Sequence, residues 1–266
     1  MEPTAPYDPT FFDAFERDSR KAARRIAPVL LDLAPVRSAI DVGGGRGIWL
    51  SVFKEAGVTD VLVVDGDYVE RNRLAVAPGE FLARDLERPL ALDRTADLAL
   101  SLETAEHLSE SRADSFIADL CGLAPVVLFS AAVPRQGGTN HINERWQSYW
   151  AERFARHGYR PADAIRQALW DDQDAGAVYL QNALIYANEA GMAKYPKLRT
   201  AIEATNSRTL DVVHPLVLGN CEGLSDLQRA DFVGLARMLP LALRKSLRRW
   251  GGRQLRALGL RKGAPE

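Results

Sequence analysis

The sequence predicts an α/β fold built on a doubly wound, mostly parallel sheet, and three observations predict it. Short apolar runs of strand length recur at 39–42, 61–64, 97–102 and 124–133, continuous enough to be covered on both faces. Segments of helical spacing separate them, as right-handed crossovers between parallel strands require. The first run passes straight into Gly43-Gly44-Gly45-Arg46-Gly47 and then into the amphipathic stretch Ile48-Trp49-Leu50-Ser51-Val52-Phe53. Strand, glycine turn and helix in immediate succession aim the first helical N–H groups at the turn, where a nucleotide-like ligand sits in such sheets.

Taken in order, residues 1–10 hold Pro3, Pro6 and Pro9 and should be irregular. Residues 11–33 have helical spacing, with Phe12, Phe15, Ala22, Ile26 and Leu30 near one face, and Pro35 ends the helix. The aromatic group Tyr7, Phe11, Phe12 and Phe15 reads first as core packing and second as a lid. After the glycine turn the helix from Ile48 ends near Gly57, and the strand at 61–64 delivers Asp65 at its C-terminal end. A short strand at 80–84 leads to Asp85-Leu86, and the strand at 97–102 ends in Glu103-Thr104-Ala105-Glu106-His107-Leu108. Ser109 is placed to cap a helix through Ser115, Phe116, Ile117 and Leu120 that stops near Gly122. The strand at 124–133 closes at Pro134 and opens a polar loop, Gln136-Gly137-Gly138-Thr139-Asn140-His141-Ile142-Asn143, where an acceptor should enter. Trp146, Trp150 and Phe154 at four-residue spacing predict a buried helical stripe, which Gly158-Tyr159 ends. Residues 159–169 and 177–187, joined by Trp170-Asp171-Asp172, read as the last two of seven strands. Beyond them Pro196, Pro215 and Pro240 punctuate weak helical patterns, so the expected organisation is a domain over 1–190 and a helical, basic extension over 191–266.

Composition sets the outer bounds. At 266 residues and 47% hydrophobic, the chain buries one full α/β core. Its two cysteines, Cys121 and Cys221, are too few and too far apart for a disulfide framework or a zinc site. Met1-Glu2-Pro3-Thr4 lacks the basic and apolar regions of a signal peptide, and no apolar run reaches membrane-spanning length, so a cytoplasmic protein is expected. The net charge of −1 hides an asymmetry: residues 232–266 carry nine Lys/Arg against Glu266 alone, +8, leaving −9 on the remainder. A tail of this kind is either a solvated helix or a contact for acidic lipid, nucleic acid or the acidic body of the chain. Residues 239–260, apolar on one side and basic on the other, suit peripheral contact with a membrane surface.

Asp41 decides which ligand the glycine turn holds. A pyrophosphate would be repelled by an acid two residues before the first glycine, whereas a cationic ligand is attracted by it. S-adenosylmethionine carries a sulfonium and an ammonium and no phosphate. Asp41-x-Gly43-x-Gly45-x-Gly47 resembles the first motif of class I S-adenosylmethionine-dependent methyltransferases. The resemblance covers residues 38–187 and implies a Rossmann-like, seven-stranded sheet whose last two strands pair antiparallel at the edge. It implies a methyltransferase in which Asp41, Gly43, Gly45 and Gly47 hold the amino-acid end of the cofactor. On the same grounds Asp65, with Asp67 as the fallback, accepts the ribose hydroxyls, Asp85 and Leu86 take the adenine, and Glu103 joins the cofactor-binding set. Gly137-Gly138-Thr139-Asn140-His141 with its following Asn-Glu, and Val178-Tyr179-Leu180-Gln181-Asn182, resemble elements of glycan methyltransferases from bacterial polysaccharide clusters. That narrower likeness implies a hydroxyl acceptor on a sugar, a glycan intermediate or a comparable small metabolite.

An alcohol is a poor nucleophile at neutral pH, so a base or a metal is sought. Of the four histidines, His141 in the loop after the fifth strand and His107 after the fourth are the candidate bases; His157 and His214 suit structural roles. If Glu103 begins a helical turn, it lies beside Glu106 and His107 and offers a divalent cation such as magnesium two oxygens and a nitrogen, which His141 would complete. That spacing resembles metal-binding segments of small-RNA 2′-O-methyltransferases and quinone-pathway O-methyltransferases. An RNA 2′-O-methyltransferase, a noncatalytic scaffold of the same fold and, more weakly, an NAD-dependent oxidoreductase are the alternatives. The acidic body and the absence of a recognised RNA module speak against the first of them.

Overall fold

The structure, a computed structural model, describes residues 9–218, with side chains from residue 16. Helix α1 (Pro9–Leu33) buries Ala22, Ala23, Ile26, Ala27 and Leu30 completely, one face at the expected spacing. Strand β1 (Ser38–Val42) leads through the glycine turn into α2 (Ile48–Glu55), and β2 (Asp60–Asp65) and β3 (Phe81–Ala83) follow. Next come β4 (Leu98–Leu102), α3 (Ala113–Leu123), β5 (Val126–Ser130) and α4 (Gln147–Arg156).

Two short strands, β6 (Arg160–Ala162) and β7 (Leu184–Ala187), complete a seven-stranded sheet of order β3-β2-β1-β4-β5-β7-β6. Strands β1 to β5 run parallel; β7 is antiparallel to both β5 and β6. In register, Ala39 stands between Val61 and Leu98. The winding reverses between β1 and β4, so their C-terminal ends bound the crevice where open α/β sheets bind ligands.

The period-2 pleat divides the core. Val61, Val63, Leu98, Leu100, Val126, Leu128 and Ile185 face one way, toward α1 and α2, with Trp49 and Phe53 among them. Ile40, Val42, Leu62, Val64, Ala99, Val127, Phe129 and Tyr186 face the other, toward Phe116, Ile117 and Leu120 of α3 and Trp150 and Phe154 of α4. Phe154 stacks on Tyr186 with ring centres 3.9 Å apart. Two buried faces explain why the strands read as continuous apolar runs.

Several local expectations are corrected. Residues 159–169 and 177–187 are mostly helical: α5 (Ala164–Leu169) and α6 (Ala177–Asn182) fill the space left by the two short strands. The Ala, Arg, Gln and Leu of α5 are strong helix formers, and Gly176, at φ 76°, breaks the chain just before α6. Ser109 does not cap through its side chain; its hydroxyl donates to Glu87, and a 3-10 turn at Glu110–Arg112 precedes α3. Trp146 stands ahead of α4 in extended backbone and is 41% exposed, so Trp150 and Phe154 alone carry the buried stripe.

Helices α7 (Glu189–Lys194) and α8 (Pro196–Ala204) place Met192, Tyr195, Leu198 and Ile202 in the same core as α1. Tyr7, the side chains of Phe11, Phe12 and Phe15, Cys221, the basic tail and the amphipathic segment at 239–260 lie outside the described residues. Among the described residues no helix is long and apolar enough to cross a membrane.

Candidate active site

The glycine turn is held from both sides of the crevice. Gly43 donates its N–H to Val64 at 2.8 Å, and its φ of 86° is a left-handed conformation that L side chains rarely adopt. A Cβ at this position would also lie 2.3 Å from Thr104, whose hydroxyl reaches the Gly43 carbonyl at 3.4 Å. Gly45 (φ 54°) and Gly47 (φ 81°) share that backbone region, and Gly47 caps α2.

Asp65, at the tip of β2, is buried and well occupied. Its Oδ2 accepts the Gly45 N–H at 2.7 Å, and its Oδ1 accepts the Gly66 N–H at 2.6 Å and the Tyr68 hydroxyl at 2.5 Å. Asp67 is 91% exposed and pairs with Arg71, so it does not share that setting.

Asp41 differs in kind. It is 1% exposed, its Oδ2 has no hydrogen-bond partner, and a Cβ on Gly44 would come within 2.6 Å of that oxygen. Burial first, and then the Asp65 carboxylate, push its carboxyl up from 3.8 to about 8. An unpartnered buried acid under a side-chain-free cradle fits a cationic or hydrogen-bond-donating group and repels a pyrophosphate.

At the adenine end, Asp85 is exposed: its Oδ1 accepts the Glu87 N–H at 3.0 Å, and Arg88 lies 3.3 Å from Oδ2. Leu86 is buried. Its carbonyl and that of Arg88 each accept from Arg112 at 2.9 Å, and buried Arg112 also pairs with Asp119, which ties this loop to α3.

After β4 the backbone turns left-handed at Glu103 (φ 50°), and the next residues form a 3-10 turn at Ala105–His107. The Glu103 carboxylate accepts from Gln136 Nε2 at 2.8 Å and Asn182 Nδ2 at 3.1 Å. It therefore does not join Glu106 and His107 as helical spacing suggested, because no α-helical turn begins at Glu103 and two distant amides hold its carboxylate. The group with ligand atoms within 4.8 Å of one another, among the described residues, is Glu106, His107 and His141.

Glu106 is fully buried and neither carboxyl oxygen has a partner, so burial and then the Glu103 charge raise its pKa. Burial, followed by the charge of His141, lowers that of His107. His141 Nε2 lies 4.0 Å from Glu106 Oε1, and the two imidazoles meet edge to face at 4.9 Å. Backbone brings them together: the Glu106 carbonyl accepts the N–H groups of Ile142 at 2.9 Å and Asn143 at 3.0 Å. His214 bonds the Trp170 carbonyl and the Leu216 N–H, and His157 is the exposed C-cap of α4, so neither joins the cluster of Glu106, His107 and His141.

Sequence reasoning places Thr104, Gln136, Asn143, Glu144 and Asn182 in informative segments but gives none of them a role of its own. Asn182 and Gln181 stood in a segment expected as a strand. The amides of Gln136, Gln181 and Asn182 form one partly buried network with Glu103.

The sequence profile of a family described as "Methyltransferase domain" matches residues 14–179, more than half of the chain. Among solved structures, the O-methyltransferase family protein from Burkholderia thailandensis is similar at TM-score 0.50 and 15% identity, over 68% of this chain and 60% of that one. DesVI of Streptomyces venezuelae is similar at TM-score 0.51 and 12% identity, over 69% of this chain and 100% of that one. At these identities the likeness shows a shared fold. No curated protein sequence matches the chain.

Proposed function

The chain belongs to the methyltransferase-domain family, and from that premise we propose that it transfers a methyl group from S-adenosylmethionine to a hydroxyl of a sugar, glycan intermediate or comparable small metabolite. The observation that carries the reading is the cluster of buried Glu106 with half-buried His107 and His141, which follows strands β4 and β5 at the same sheet end as the glycine turn. Bound S-adenosylmethionine supplies a methyl group already activated by its positive sulfur. Alignment is then the protein's main task. Asp41 faces the cationic end, Asp65 accepts the ribose hydroxyls in place of the Tyr68 hydroxyl, and Asp85 and Leu86 meet the adenine. His141 Nε2 would take the acceptor's proton as the methyl–oxygen bond forms and the methyl–sulfur bond breaks, its electron pair leaving with S-adenosylhomocysteine. His107, kept neutral by burial and by His141, is the second candidate base.

Calorimetry with S-adenosylmethionine, followed by turnover to S-adenosylhomocysteine across hydroxylated acceptors, tests the proposal. Binding without turnover on any acceptor would favour a noncatalytic scaffold, and NADH binding without S-adenosylmethionine binding would overturn the cofactor.

One observation favours a cation in the same site: both Glu106 oxygens are buried without a hydrogen-bond partner, and the imidazole nearest them stands 4.0 Å off, a setting that favours either a proton or a positive charge. Glu106, His107 and His141 would offer a divalent cation one oxygen and two imidazole nitrogens, a set that suits zinc or iron(II) better than the magnesium that a second oxygen from Glu103 would have favoured. Equilibrium binding of Zn²⁺ or Fe²⁺ to the wild type, tighter than that of Mg²⁺ and lost in Glu106→Gln, and turnover abolished by EDTA are expected. Chelator-insensitive turnover with no ion binding would remove the cation.

A further inference from the structure

The loop at 134–145 carries a carboxylate that the proposed reaction leaves without a role. Glu144 Oε2 accepts the N–H of Arg135 at 2.7 Å. Its Oε1 accepts the N–H of Gly137 at 2.9 Å and lies 3.1 Å from Nδ1 of His141. Left-handed backbone at Arg135 (φ 72°) and Gly137 (φ 75°) curls the chain around the carboxylate. The His141 ring lies in the space that a Cβ on Gly138 would fill, 2.3 Å from Nε2, and meets the His107 ring edge to face at 4.9 Å.

The two nitrogens of His141 thus meet different surroundings. Nδ1 faces an oxygen that already receives an N–H and has only acceptor capacity to offer, so Nδ1 must carry the hydrogen. Nε2 is left with its lone pair, 4.0 Å from Glu106 Oε1. Asn140, just before His141, is another left-handed residue of this loop (φ 59°).

We infer that Glu144 is a positioning residue that fixes the Nδ1–H tautomer of His141, so that Nε2 is the nitrogen presented to Glu106 and to the acceptor hydroxyl. The inference rests on His141 acting in methyl transfer; carboxylates that orient metal-ligating imidazoles in this way are worth roughly 10- to 100-fold in activity, and an effect of the same order is expected here.

Its test does not need the acceptor. Long-range ¹H–¹⁵N correlation spectra of the ¹⁵N-labelled full chain, recorded where the imidazoles are neutral and assigned with His141→Gln, read the tautomer directly. The wild type should show Nδ1–H. Glu144→Ala should move His141 to the Nε2–H form that free histidine prefers, and Glu144→Gln, with an amide oxygen in the place of Oε1, should restore Nδ1–H. An Nε2–H wild type, or a Glu144→Ala spectrum with the wild-type tautomer, overturns the inference, and the wild-type spectrum decides even if the alanine variant does not fold. In turnover, kcat of Glu144→Ala should fall about 10- to 100-fold while KM for S-adenosylmethionine stays within about twofold; a parallel loss of cofactor affinity would make Glu144 a mere loop clamp and sink the assignment. If the wild type shows Nδ1–H yet transfers no methyl group to any acceptor, the reaction fails and the tautomer assignment stands.

Discussion

Replacing Asp41 with Asn keeps the shape of the side chain and removes its ionisation, and the consequences follow from its setting. The carboxyl is completely buried and raised from 3.8 to about 8. A difference of about 4 units at 1.36 kcal/mol each is roughly 5–6 kcal/mol, an upper figure for the cost of ionising Asp41 in the folded protein. With the folded value above the unfolded one, the unfolded chain loses its proton first. The stability contribution is therefore fully present below about pH 4 and is lost as pH rises through about 8. Urea unfolding at pH 5, 7 and 9 should show Asp41→Asn gaining on the wild type at each step. A difference between the two proteins that does not change over that range would refute the argument.

The same group links cofactor binding to pH. At pH 7 a carboxyl at about 8 is roughly nine-tenths protonated, so a bound cation that draws the proton out releases roughly 0.9 proton. Calorimetry of S-adenosylmethionine binding in two buffers of different ionisation enthalpy measures that release. Asp41→Asn should release none and bind more weakly. Equal wild-type enthalpies in the two buffers would rule out Asp41 as the group that meets the cation.

Two further outcomes are expected at the turn. Gly43→Ala meets both a left-handed φ of 86° and Thr104 at 2.3 Å, and should lose roughly 2–5 kcal/mol of stability; adding Thr104→Ala should recover the steric part, about 1–3 kcal/mol, and a double variant no better than the single one would show that Thr104 is not what the new methyl meets. Tyr68→Phe removes the hydroxyl on Asp65 Oδ1, worth about 0.5–1.5 kcal/mol, so S-adenosylmethionine affinity should hold or rise by up to roughly tenfold, and a clear fall would contradict displacement of that hydroxyl by a ribose.

The legible parts of this protein were those whose signal is local. β1, β2, β4 and β5 announce themselves because strands covered on both faces are apolar at every position, and the turn announces itself because only glycine takes left-handed φ three times in five residues without strain. α5 and α6 were misread for the complementary reason: they are too short for helical periodicity to separate from a buried strand. Asp41 and Asp65 were placed because each sits at a fixed offset from a strand end.

The histidine cluster was half visible. Glu106 and His107 are neighbours in sequence, and helical spacing was a fair guess for Glu103, but its carboxylate is held by Gln136 and Asn182, 33 and 79 residues away. By itself the sequence determined the sheet, the glycine turn and the acids beside it, since these follow from pattern, backbone sterics and charge within a few residues. Only the tertiary structure decided which residues form the site. His141 reaches Glu106 through backbone hydrogen bonds from its own loop to the Glu106 carbonyl, a contact between segments about 35 residues apart that no local pattern encodes.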